Sequence, residues 1–251
     1  MYRVTEKEME IQRTYYRNNY PPFVPFKLSP EDSVYISKNY KMLLTTQNGP
    51  DFDDYIILDD NKIEKYLNKF PTDSRVLFLG TGVGRELCVG RDMGFDIYGT
   101  TFGSRNVYFG VNYLGINKDR LIECANEALP FDGGFFDVVA GFQVFEHTLS
   151  PLQFLIEQYR VLKVGGTLIL EWPPAYNHQG GNNPHHQVCF VPGQAQSLFE
   201  KAGFENIKMY YDNLKEIPSD CIWRGDVNLD LMLCIEGKKI KPLHPYVNMS
   251  Y

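Results

Sequence analysis

Glu146 and His147 stand side by side in FQVFEH, residues 142–147, four residues ahead of Pro151. An imidazole titrates near neutral pH, so a histidine at a strand end is a natural general base. A second carboxylate, Glu171, closes the apolar run GGTLILEW, and His185 and His186 follow in the loop PPAYNHQGGNNPHHQ, residues 173–187. Each has a plainer reading. Glu146 and His147 can cap the helix that Pro151 opens, and adjacent histidines in a glycine- and asparagine-rich loop are often only solvated. A further group is backbone. Gly80, Gly82 and Gly84 in GTGVG follow the apolar run RVLFL, and such a loop can turn sharply while aiming N–H groups at a bound nucleotide. The dinucleotide fingerprint would place its third glycine where Arg85 stands, which argues against a nicotinamide cofactor.

These residues need a scaffold, and the pattern from residue 75 onward supplies one. RVLFLG, DIYGTT, LIEC, FFDVVAGF and GGTLILEW read as strands, with helices after Gly84, after Ser104 and over residues 151–162. LFEKAGF reads as a helix closed by Gly203, followed by strands in NIKMYYDN and LDLMLCIEG. Alternating strands and helices predict an α/β fold with an open, doubly wound sheet of seven strands. Upstream, apolar residues in DFDDYIILDDNKIEKYLNKF reach helical spacing at Ile63, Tyr66, Leu67 and Phe70. Residues 1–50, with TYYRNNYPPFVPF, form an N-terminal arm and a possible substrate lid, and residues 51–251 form one domain.

Composition narrows the function. With 43% hydrophobic and 22% charged residues the chain is ordinary for a globular protein, and its formal charge of -6 opposes broad attraction to nucleic acid. Five scattered cysteines without C-x-x-C spacing suggest reduced thiols and a cytoplasmic setting. The charged start MYRVTEKEMEIQ and the lack of a run of ~18 apolar residues predict no membrane span.

VLFLGTGVGRE and EALPFDGGFFDVVAGFQVFEHTLSPLQFLIEQYRVLKVGGTLILEWPP resemble, in order, the motifs of class I S-adenosylmethionine-dependent methyltransferases, in particular the type 11 domain. Val164 alone replaces an expected proline in the RVLK turn. The resemblance implies a Rossmann-like methyltransferase fold with an antiparallel last strand. It also implies S-adenosylmethionine across the carboxyl ends of the first four strands, against Gly80, Thr81, Gly82, Gly84, Thr101, Asn126, Phe142 and Gln143. Two positions depart from the family. Thr101 stands in place of the ribose-binding acid, and Ala125 in place of the acid that meets the adenine amino group. Each lost charged hydrogen bond removes roughly 1.5–3 kcal/mol.

In O-methyltransferases of ubiquinone biosynthesis and of small-RNA 3' ends, this strand end resembles a divalent metal site. Glu146, His147 and His186 match its pattern, whereas Gln143 replaces an acid. The implied activity is O-methylation of a hydroxyl on a small molecule, sugar or nucleotide-like acceptor. His147, Glu171 or His186 would serve catalysis, and magnesium or manganese would be held by Glu146, His147 and His186. The rival, favoured by Thr101 and Ala125, is a degenerate pseudo-methyltransferase that acts as a binding subunit.

Overall fold

The computed structural model describes residues 60–175 and 186–242. The expected arm and lid over residues 1–50, His185 and most of the loop 173–187 lie outside the described residues. The first half of the described chain runs α1 (Asp60–Leu67), β1 (Arg75–Leu79), α2 (Arg85–Asp92), β2 (Asp96–Thr101), α3 (Ser104–Tyr113) and β3 (Leu121–Glu123). It continues with β4 (Phe136–Phe142), a short 3₁₀ turn (Phe145–His147), α4 (Pro151–Val161) and β5 (Leu162–Trp172). The last elements are α5 (Pro192–Ala202), β6 (Glu205–Tyr211), α6 (Ser219–Arg224) and β7 (Leu233–Lys238).

Seven strands among the described residues join one sheet in the order β3-β2-β1-β4-β5-β7-β6. β1 to β5 are parallel, and β7 runs antiparallel to both β5 and β6, as the family pattern implies. Both faces are covered, which explains why the central strands are apolar runs and not alternating ones. Val76 and Phe78 face a cluster with Ile63, Tyr66 and Leu67 of α1 and Leu87 of α2. Leu77 and Leu79 face the opposite cluster with Phe154 and Tyr159 of α4 and Phe199 of α5. Each such buried side chain contributes about 1.5–3 kcal/mol by leaving water. No helix among the described residues is long and apolar enough to cross a membrane.

Several boundaries differ from the sequence reading. β5 begins at Leu162 and not at Gly165, because Leu162 pairs with Phe136 before an irregularity lets Val138 pair with Thr167. β7 begins at Leu233 and not at Leu229. Asn228 closes a turn there, its Oδ1 accepting from Asp230 N at 2.9 Å. The sheet order reverses between β1 and β4, and that switch point opens a crevice at the carboxyl ends of the strands.

Candidate active site

The glycine loop leaves β1 at this switch point. Gly80 and Gly82 adopt φ 65 and 54, left-handed conformations that strain any side chain. A Cβ on Gly80 would sit 2.9 Å from Val144 Cγ2, whereas one on Gly82 would meet nothing within 4 Å. Gly82 therefore leaves an open cradle. Thr100 fixes the loop from below: its carbonyl accepts from Thr81 N at 2.8 Å and its Oγ1 accepts from Gly80 N at 3.2 Å. The same hydroxyl donates to Asn126 Oδ1 at 2.6 Å, and Gln158 of α4 donates to the Asn126 carbonyl at 2.7 Å. A buried relay thus runs from α4 through Asn126 and Thr100 to the glycines. Neither Thr100 nor Gln158 stands out in the sequence.

Thr101 is buried at the end of β2, where its Oγ1 accepts from Asn106 Nδ2 at 3.0 Å. Phe142 is packed against Tyr66 and Phe78, with Lys62 Nζ 5.5 Å from its ring centre. Gln143 takes a left-handed turn, φ 54, directly after β4, and its backbone N donates to Glu171 O at 3.0 Å. Its side chain reaches the Glu171 carboxylate at 3.4 Å and Met232 Sδ at 3.5 Å.

Beyond Gln143 the 3₁₀ turn carries Glu146 and His147. The segment bearing His186 is strapped to it, because Gln187 N and Val188 N donate to the Glu146 carbonyl at 2.9 and 3.1 Å. Phe190 stacks on Phe145 at 4.1 Å and 6°, and Trp172 donates to the Phe190 carbonyl. These contacts close the gap between residues 146 and 186. His186 Nε2 lies 4.0 Å from Glu146 Oε1, and the two imidazole rings meet edge to face at 4.8 Å. One ligand atom from each of Glu146, His147 and His186 lies within 4.8 Å of the others. The Glu146 carboxylate is 1% exposed, and neither oxygen has a hydrogen-bond partner among the described residues. Burial pushes its pKa up from 4.5 to about 8, with Glu171 adding a smaller repulsion.

Glu171 belongs to a different group. Its carboxylate is fully buried but engaged by Lys62 of α1, by Tyr66 Oη at 3.3 Å, by Gln143 and by Cys234 Sγ at 3.7 Å. Burial raises its pKa, and Lys62 pulls it back. The sequence reading assigned no role to Lys62 or Cys234, which lie far from residue 171 along the chain. Glu127, also unassigned, accepts from Thr148 Oγ1 at 2.6 Å and Leu149 N at 3.2 Å, fixing the loop after His147.

A glycine loop at the switch point of a sheet with an antiparallel β7, and polar groups at the end of β4, follow the Rossmann-like methyltransferase fold. Residues 77–170 match the sequence model of the type 11 family, described as a methyltransferase domain. The chain is similar to a protein of Mycolicibacterium smegmatis named a probable S-adenosylmethionine-dependent methyltransferase, 36% identical over 31% of this chain and 32% of that protein. It is also 34% identical to a ubiquinone biosynthesis O-methyltransferase of Roseobacter denitrificans, over 37% of this chain and 38% of that protein. The match thus spans about a third of these relatives. An S-adenosylmethionine-dependent methyltransferase from Thermotoga maritima shares the fold with TM-score 0.56 at 18% identity, over 83% of this chain and 96% of that one.

Proposed function

We propose that this chain transfers the methyl group of S-adenosylmethionine to a hydroxyl oxygen of a small-molecule, sugar or nucleotide-like acceptor. The observation that carries the reading is the buried Glu146 carboxylate, without a hydrogen-bond partner among the described residues and set against His147 and His186. A buried carboxylate lacking a partner is costly, so its retention beside two imidazoles points to a ligand.

The three side chains fit a divalent cation: one carboxylate and two nitrogen donors converge. Two imidazoles favour manganese or a later transition metal over magnesium, which prefers oxygen. Such an ion would act as a Lewis acid that lowers the pKa of an acceptor hydroxyl. Gln143 turns toward Glu171 and contributes to the crevice wall instead.

The remaining roles fall to the chain itself. The glycine loop, held by Thr100 and Asn126, presents backbone N–H groups to the amino-acid end of the cofactor. His147 would be a ligand when the ion is bound and is the base that takes the acceptor proton when it is not, and the Glu127 contacts hold the loop beyond it. Glu171, already engaged by Lys62, acts as a positioning residue for Gln143 and not as the base. The setting is a reducing compartment such as the cytoplasm, consistent with five free thiols.

The second reading, a binding subunit without turnover, draws on Thr101, whose hydroxyl is engaged by Asn106, and on the apolar Ala125. Calorimetry with S-adenosylhomocysteine, followed by transfer of a labelled methyl group to a panel of hydroxyl acceptors, separates the two. Cofactor heat with manganese-stimulated transfer supports the enzyme; cofactor heat with no transfer to any acceptor supports the binding subunit. No heat at millimolar cofactor overturns the proposed function.

A further inference from the structure

We propose that the ribose-binding acid missing at Thr101 is supplied from the neighbouring strand by Glu123, an inference that rests on the cofactor reading above. Thr101 itself is poorly placed to hold a ribose, because it is 2% exposed and its hydroxyl accepts from Asn106. Thr101 and Glu123 are register partners at the carboxyl ends of the parallel strands β2 and β3. Register partners lie about 4.8 Å apart with side chains on the same face, a spacing that a glutamate side chain can cross. Their shared face is the one covered by α3, whose Asn106 reaches Thr101.

Glu123 is solvent-exposed, and it makes no hydrogen bond or ion pair with the described residues. Glu127, four residues further on, is instead buried, and its Oε1 accepts from Thr148 Oγ1 and Leu149 N. An ionised carboxylate offers two acceptor oxygens, which suits the paired hydroxyls of a ribose. In this geometry the acid has moved one strand outward while keeping its height in the sheet.

The test is calorimetry of wild type and Glu123→Gln with S-adenosylhomocysteine and with its 2'-deoxy analogue. Glu123→Gln should weaken S-adenosylhomocysteine about ten-fold or more and the 2'-deoxy analogue by less than half that factor, with an unchanged melting temperature. Equal affinities of wild type and variant for S-adenosylhomocysteine would overturn the proposal while leaving the cofactor reading intact. An equal loss for both ligands would also overturn it, because Glu123 would then act through general charge and not through the ribose hydroxyl. Wild type that binds neither ligand would overturn the cofactor reading, and this inference with it.

Discussion

Two buried carboxylates sit at the ends of adjacent strands, and their surroundings could hardly differ more. Glu171, ending β5, meets a lysine, a tyrosine, an amide and a thiol. Glu146, just past β4, lies within 4.8 Å of a nitrogen of each of two imidazoles, and its carboxylate has no hydrogen-bond partner among the described residues. The first group is internally satisfied and ties α1 to the sheet. The second has no such partners among the described residues, and the proposed cation site rests on that difference. Burial alone therefore does not mark a functional acid; the proposal for Glu146 rests on burial without a matching donor beside two imidazoles.

The contrast can be broken from either side. His147→Ala should lower methyl-transfer turnover by about 10²–10⁴-fold with little change in melting temperature. A comparable loss from Glu171→Gln would erase the distinction between the groups. Next in size is the pH dependence of Glu146. Its folded-state pKa of about 8 exceeds the ordinary 4.5, so its contribution is complete below about pH 4.5 and lost as pH rises through 8. Without metal, Glu146→Gln should then be more stable than wild type at pH 9, by on the order of 3–5 kcal/mol, in denaturant titrations. Equal stabilities at pH 9 would mean that Glu146 already has a partner.

Smaller effects probe the supports. Lys62→Met leaves Glu171 buried without its cation and should cost about 2–3 kcal/mol, at or below the low end for buried pairs because Lys62 keeps 18% exposure. Urea midpoints measure it. Thr100→Val should cost about 1–2 kcal/mol and weaken S-adenosylhomocysteine several-fold, since the Gly80 amide and Asn126 Oδ1 both lose a partner. An unaltered cofactor affinity in that variant would detach the relay from the glycine loop.

Much of this architecture was legible in the sequence because it is written locally. The apolar runs of β1 and β4, the alternate glycines and the adjacent Glu146 and His147 each declare themselves within a few residues. The seven strands and the antiparallel last one followed from the resemblance of the motifs, whereas the order of the strands comes from the structure. What escaped was long-range. The Lys62–Glu171 pair spans 109 positions, and helical spacing in DNKIEKYL says nothing about which charge the lysine will meet. The Thr100–Asn126–Gln158 relay was hidden because threonine, asparagine and glutamine have no distinctive spacing. His186 was legible through resemblance, but its approach to Glu146 depends on the Phe145–Phe190 stack and the strap at residues 187–188.

Glu146, His147 and His186 are proposed to form one site for a divalent cation. Titration of manganese into the cofactor-free protein, followed by calorimetry and thermal melting, tests it most directly. Wild type should bind one ion and melt at a higher temperature, whereas Glu146→Gln and His186→Ala should each lose at least ten-fold in affinity and the thermal shift. Equal binding by wild type and both variants would contradict it.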